Sequence, residues 1–280
     1  RTGPEPDAFT LTSATGACLK AAAWERALNL ASAAQLDGLE ANIFLYTGTI
    51  SACEKGVLWK QALELLGEAE GRGLVPNVIA YSAAISACEK GRRWQHALAL
   101  LGEMKRASID SDLIVYSAAI GACASDARWE QALGLMAELR EHRHRPNIIT
   151  YNSLLSALGR AGQWELVLQV LDELTQERLR PTVETYSCAL SACGADGQWR
   201  VAVDLLRQMG RAGLEADVML YSALFASYDA AEKWRHVLAR LGDMRQEGLR
   251  PDAVSLSAVI SATGRSGEWE ASTATLREAL

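Results

Sequence analysis

Residues 78–112 read VIAYSAAISACEKGRRWQHALALLGEMKRASIDSD, and the rest of the chain repeats that stretch with variations. From Tyr81 to Lys90 apolar and small residues recur at helical spacing, with Ile85 and Cys88 on one stripe. Gly91 then reads as a helix-ending residue, as do Gly56, Gly162, Gly197 and Gly267 elsewhere. A second helix is expected from Trp94 to about Arg106, with Trp94, Ala97, Leu98, Leu101 and Met104 on its buried side. A short connector follows, and in several copies it carries proline, at Pro76, Pro146, Pro181 and Pro251.

The period is exact in the aromatic residues. Trp24, Trp59, Trp94, Trp129, Trp164, Trp199, Trp234 and Trp269 each follow the last by 35 residues. Tyr46, Tyr81, Tyr116, Tyr151, Tyr186 and Tyr221 keep the same step, with Leu11 and Leu256 in the end slots, and so do Cys18, Cys53, Cys88, Cys123 and Cys193. A fixed period of this length is the signature of a repeat array. The repeats fall at 8–42, 43–77, 78–112, 113–147, 148–182, 183–217 and 218–252, with a partial one at 253–280. Residues 1–7 read as the tail of a preceding repeat, because Pro6-Asp7 matches Pro251-Asp252. Neither end shows a polar capping element, so a longer array is expected. Helices of ~10–13 residues are marginal alone in water, and their apolar faces are satisfied only by stacking on neighbours. The expected fold is all-α: an α-solenoid, a right-handed superhelix of helix-turn-helix repeats with no strands.

Composition narrows the function. The chain is 49% hydrophobic and 22% charged, too apolar for disorder. No apolar run approaches the ~18 residues of a membrane span, so no membrane insertion is expected. Residues 1–7 lack an initiating Met and an apolar signal core, so any targeting segment is expected to have been removed or to lie outside this chain. A net charge of −6 argues against tight nonspecific RNA binding, though not against a basic stripe on one face. The cysteines read as small buried hydrophobes. Equivalent positions in stacked repeats lie ~9–10 Å apart, too far for a disulfide, and free thiols fit a reducing compartment. His96, His142, His144 and His236 form no triad or metal constellation, and His142 to Arg145 reads as a basic connector. There is no phosphate loop, dinucleotide fingerprint or paired catalytic carboxylate. No catalytic residue, metal, cofactor or small-molecule substrate is therefore expected, and the chain does not read as an enzyme.

Tetratricopeptide repeats run on ~34 residues and carry their Trp in the first helix, whereas these tryptophans start the second. Ala80 to Gly91, followed by Trp94 and Ala97-Leu98, resembles the pentatricopeptide repeat, as does Ile148 to Leu155 closed by Leu179-Arg180-Pro181. The resemblance covers essentially the whole chain, and the regular Trp with Cys-Glu-Lys-Gly is similar to P-type forms seen in algae.

The resemblance implies a groove that reads single-stranded RNA one base per repeat. Base-edge contacts then fall to the residue after the Tyr slot (Thr12, Thr47, Ser82, Ser117, Asn152, Ser187, Ser222, with Ser257 unpartnered in this chain) and to the closing residue (Asn42, Asn77, Asp112, Asn147, Thr182, Asp217, Asp252). Hydroxyl, amide and carboxylate groups suit that task. The same types are also what helix N-termini prefer as caps, so the pattern alone leaves both readings open. The residue two before the Tyr slot implies base stacking: Phe9, Phe44, Ile79, Ile114, Ile149, Met219 and Val254, with Glu184 breaking the series. Its alternative is ordinary packing between repeats. Lys20, Lys55, Lys90, Arg160 and Arg265 end first helices and could follow phosphates, or could simply favour the helix dipole, and the row is broken at Ser125, Ala195 and Ala230. Acidic residues such as Glu64, Glu68 and Glu103 are expected on the second helices.

Carrying over the family's pairing rules, the expected site is 5′-AAGAYGG-3′. The resemblance also implies an organelle, chloroplast or mitochondrion, and a role in RNA processing, stability or translation. The alternative is a scaffold subunit that holds other protein subunits of an organellar ribosome or comparable assembly. The acidic balance, Glu184 and the broken cation row favour that alternative.

Overall fold

A computed structural model describes residues 8–21, 23–36 and 42–279, so the expected repeat tail at residues 1–7 lies outside the described residues. The helices are α1 (Ala8–Lys20), α2 (Trp24–Leu36), α3 (Ile43–Lys55), α4 (Trp59–Gly71), α5 (Val78–Lys90), α6 (Trp94–Arg106), α7 (Leu113–Ser125) and α8 (Trp129–Glu141). They continue with α9 (Ile148–Arg160), α10 (Trp164–Gln176), α11 (Val183–Ala195), α12 (Trp199–Arg211), α13 (Val218–Ala230), α14 (Trp234–Gln246), α15 (Ala253–Arg265) and α16 (Trp269–Ala279). There is no strand among the described residues. The fold class is all-α, an α-solenoid of helix-turn-helix repeats, and every second helix begins at its tryptophan.

The chain divides into two compact units, Arg1–Asp126 with Glu130–Pro146, and Ala127–Trp129 with Asn147–Leu280. In the first, α1, α3, α5 and α7 stack successively, while α4 and α6 each pack on the first helix of their own repeat and of the next. In the second, α9, α11, α13 and α15 stack in the same way, backed by α10, α12 and α14. First helices are thus shared between neighbours on both sides, which explains their composition. Ala84, Ile85, Ala87 and Cys88 of α5 are wholly buried, and small residues let the stacked helices approach closely. The Tyr slot is core: Tyr116 and Tyr151 are fully buried, and Tyr81, Tyr186 and Tyr221 nearly so. On α6 the buried stripe is Ala97, Leu100, Leu101 and Met104, with Leu98 only half-buried, so the stripe leans to the opposite flank from the one expected. Each such Leu or Tyr contributes roughly 1.5–3 kcal/mol relative to leaving it in water.

Trp24 to Trp234 are half-buried rather than fully buried, and the rings of Trp24, Trp59 and Trp199 lie at the joint with the next repeat. That joint explains two glycines. A Cβ on Gly56 would come within 2.8 Å of the Trp24 ring, and one on Gly91 within 2.5 Å of the Trp59 ring. Both glycines have ordinary right-handed φ, so close approach requires them rather than the turn. Here the expectation that Gly56, Gly91, Gly162, Gly197 and Gly267 share one role needs correcting. The left-handed turn residue is one position later, at Val57, Arg92, Ala127, Gly162, Gly197, Glu232 and Gly267.

Val57, with φ +58°, is the strained member, since a β-branched side chain fits this region poorly. Left-handed backbone costs a non-glycine residue about 1–2 kcal/mol, so Val57→Gly is expected to stabilise the chain by about 1 kcal/mol after the entropy of glycine is subtracted. A urea midpoint that falls instead would show that Val57 packs more than its exposure suggests.

Cys53, Cys88, Cys123 and Cys193 are buried free thiols, and burial pushes each up to about 11. Cys188 is raised to about 11 in the same way. No described helix is long and apolar enough to cross a membrane, and the described residues include no cluster of His, Cys, Asp and Glu suited to a metal.

Candidate nucleic-acid interface

From α3 to α15, the second residue of each first helix points into solvent. Ile79 and Ile114 are each 63% exposed, Met219 is 68% exposed, and Phe44, Ile149 and Val254 are exposed to a similar degree. Their neighbours at the Tyr slot are buried, so this exposure is a property of the position and not of a loosely packed helix. The packing alternative for this column therefore does not hold at the described positions. Large apolar side chains left in water once per repeat make a regular apolar ladder along the first helices of each unit. Glu184 occupies the same slot on α11 and is also exposed. The side chains of Phe9 and Thr12 lie outside the described residues.

The closing residues are helix caps. Asn42, Asn77, Asp112, Asn147, Thr182, Asp217 and Asp252 have extended backbone, and each side chain accepts the backbone N–H three residues on. The distances are 2.9 Å for Asn77 to Ala80 N and 2.9 Å for Asp112 to Val115 N. Such a cap is worth about 1 kcal/mol. The second helices contrast with this: Leu58, Arg93, Gln163, Gln198 and Lys233 make no side-chain cap bond. Capping does not exhaust the head group. In Asn77 the bond uses Oδ1 and leaves the Nδ2 donor outside the cap; in Asp112 and Asp217 it leaves a second carboxylate oxygen.

The two polar columns meet where the structure records their contacts. Ser222 lies 3.4 Å from Asp252 Oδ1, and Asn152 Nδ2 lies 3.5 Å from Thr182 Oγ1. Thr47 is nearly buried and donates its hydroxyl back to the Ile43 carbonyl at 2.8 Å, so its oxygen can offer only acceptor lone pairs. A third residue joins these pairs: the one just before the Tyr slot. Ser255 donates to Asp252 Oδ1 at 2.7 Å and sits 2.7 Å from the Ser222 hydroxyl. The backbone N–H and hydroxyl of Ser255 together hold Asp252 below the usual carboxylate range. Thr185 donates to Asn152 Oδ1 at 2.7 Å. Sequence reasoning missed this column, because Thr and Ser there look like ordinary third residues of a capped helix.

The cations are less available than their spacing suggests. Lys90 pairs with Glu54 at 2.8 Å, and Arg265 pairs with Asp229. Each acid belongs to the preceding first helix and stands 36 residues before its cation, a one-repeat-plus-one spacing that was open to inspection. Lys20, Lys55 and Arg160 are exposed at the equivalent helix ends. Glu89, next to Lys90, is partly enclosed, and burial raises its carboxyl to about 7. Gly121 on the neighbouring helix leaves the room that this carboxyl fills. The rings of His142 and His144 lie tilted against the Tyr116 ring, with centroids at 6.1 and 6.5 Å.

A family model described as the pentatricopeptide repeat domain matches residues 29–93, 99–161, 136–196 and 204–266, and one described as the PPR repeat matches 79–109 and 184–214. No curated protein matches the sequence. Among solved structures, the pentatricopeptide repeat protein PPR10 from maize is similar over 96% of this chain and 43% of its own, with 24% identity and a TM-score of 0.66. PPR10 in complex with an 18-nucleotide psaJ RNA element is similar over 98% of this chain and 44% of its own, with 25% identity and a TM-score of 0.57. The PPR domain of Arabidopsis thaliana protein-only RNase P 1 in complex with tRNA matches 62% of this chain and 92% of its own, at 16% identity and a TM-score of 0.56. The chain spans less than half the length of PPR10.

Proposed function

The chain belongs to the pentatricopeptide repeat family, and from that premise we propose that it is a non-enzymatic module that binds single-stranded RNA, one base per repeat. The observation that carries the reading is the exposed apolar ladder with capped polar side chains beside it. An apolar side chain between two bases and a polar pair facing each base edge together supply affinity and selectivity. The relative solved with RNA supports the same reading. A place in an organelle, chloroplast or mitochondrion, and a role in RNA processing, stability or translation follow from the family.

The site on this reading is 5′-AAGAYGG-3′, with Thr47–Asn77 taking A and Ser82–Asp112 and Ser187–Asp217 taking G. Asp offers only acceptors, which suit the N1–H and N2–H donors of guanine; the free Nδ2 of a capping Asn suits the N1 acceptor of adenine. One observation favours the scaffold reading: the acids that neutralise Lys90 and Arg265 weaken the phosphate track.

Filter binding of a randomised RNA pool at several salt concentrations separates the two. Selection of 5′-AAGAYGG-3′ is expected, with a shallow salt slope. Two phosphate contacts on a single strand, from the exposed Lys20 and Lys55, give a slope of only about −1.4. Ile79→Ser and Ile114→Ser should each weaken binding about tenfold, in line with stacking contributions of roughly 1–3 kcal/mol per base. Their melting temperatures should not fall, since both side chains are exposed. No enrichment of any RNA over poly-uridine would leave the scaffold reading standing.

A further inference from the structure

Glu184 does more than interrupt the ladder. It is the second residue of α11, exposed in the slot that holds Ile149 one repeat earlier and Met219 one repeat later. Its carboxylate turns back to the preceding repeat and accepts a hydrogen bond from Asn152 Nδ2 at 3.1 Å. The other end of the same amide, Oδ1, accepts the Thr185 hydroxyl at 2.7 Å. Thr185 is fully buried and is itself held in the capping box of α11, where the Thr182 backbone N–H donates to its hydroxyl at 2.9 Å. The Thr185 hydroxyl also lies 3.1 Å from Thr182 Oγ1, but its proton goes to Asn152 Oδ1, the shorter contact at 2.7 Å; a carboxylate can only accept, so the orientation of the Asn152 amide is decided by its partners. Asn152 is 7% exposed, with both ends of its head group engaged. Thr182, the closing residue of this repeat, has its single oxygen engaged by the Thr185 N–H at 3.3 Å, the Thr185 hydroxyl at 3.1 Å and Asn152 Nδ2 at 3.5 Å.

We infer that Glu184 is a specificity-determining positioning residue which, by holding Asn152 with Thr185, makes the repeat at 148–182 indifferent to the base it faces. The inference rests on the RNA-binding reading above and revises one letter of its site: the pyrimidine at the fifth position becomes any base. The array then holds RNA across this repeat through its neighbours and selects on both sides of it.

The test is binding of four RNAs, 5′-AAGANGG-3′ with each base at N, to the unaltered chain, Glu184→Val and Glu184→Gln. The unaltered chain is expected to bind all four within about twofold. Glu184→Val leaves Asn152 Nδ2 with only its long 3.5 Å contact to Thr182 and restores an apolar rung; it should bind more tightly and prefer C and U over A and G by fivefold or more. Glu184→Gln keeps an acceptor for Asn152 but loses the charge, so all four affinities should rise together with no preference appearing. That separates the hydrogen bond from simple repulsion of phosphates, and a merely structural role would not change selectivity at one position alone. A shift of the Asn152 side-chain amide resonances in Glu184→Val, with unchanged helicity, checks the release directly. A fivefold or larger pyrimidine preference in the unaltered chain, or continued indifference in Glu184→Val, overturns the inference while leaving RNA binding intact. Failure of the unaltered chain to bind any of the four better than poly-uridine overturns the reading and the inference together.

Discussion

Gly159→Ala is expected to lower the stability of the 147–280 unit by about 1–2 kcal/mol net of the helix propensity gained, while the same change at Gly194 leaves it unchanged or raises it. The two glycines occupy one slot in successive repeats. A Cβ on Gly159 would stand 2.6 Å from the backbone carbonyl oxygen of Cys188 on the adjacent α11. A carbonyl in the middle of a helix cannot step aside without moving the helix, and overpacking of this kind costs about 1–3 kcal/mol or more. At Gly194 the nearest atoms are the Ala223 oxygen at 3.5 Å and the Ala226 Cβ at 3.6 Å, ordinary contact distances. Alanine there gains up to about 1 kcal/mol of helix propensity with nothing to displace. Urea denaturation of the full chain carrying each change reads the difference. Equal effects at the two sites would mean that α9 and α11 can slide apart, contrary to the packing described.

Asp112→Asn is expected to move the preference of its repeat from G to A by about 10- to 100-fold, since a good base contact discriminates by about 1–3 kcal/mol. Stability should hardly change, because Asn and Asp cap helices about equally well, and the cap at 2.9 Å uses an oxygen that both residues possess. What changes is the second atom, an acceptor in Asp and a donor in Asn. Binding of 5′-AAGAYGG-3′ against 5′-AAAAYGG-3′ measures the switch. A loss of helix stability without a change of base would show that Asp112 is a cap and nothing more.

The architecture was legible because repetition multiplies weak signals. One tryptophan before a helix says little, but eight at one step fix the unit, its register and the boundary between its helices. The closing column was legible as chemistry but ambiguous in role, and the structure answers that Asn77 and Asp112 are caps whose remaining atom is still available to a partner. The apolar column could not be assigned to core or surface from spacing, because the second residue of a helix lies at the edge of the buried stripe. Its exposure depends on how neighbouring repeats stack, which no pattern of letters states. Capture of Asn152 was hidden for a different reason: it needs the reach of Glu184 and the proton direction at Thr185 together. Gly56 and Gly162 look alike in the sequence because both follow a first helix, and only backbone dihedrals separate a glycine under a Trp ring from one in a left-handed turn.

Because every described closing residue caps the helix that follows it, the residues tolerated there are limited by folding before any ligand is considered. A replacement by Ala or Leu removes about 1 kcal/mol of helix stability, while exchange among Asn, Asp, Ser and Thr costs much less. Asn and Asp codons differ by one nucleotide, as do those of Asn and Thr. On the proposed reading, a gene for such an array can rewrite its target one letter at a time by single-nucleotide steps, each passing through a protein that still folds. Heritable change in what the molecule recognises is thereby uncoupled from change in whether it survives.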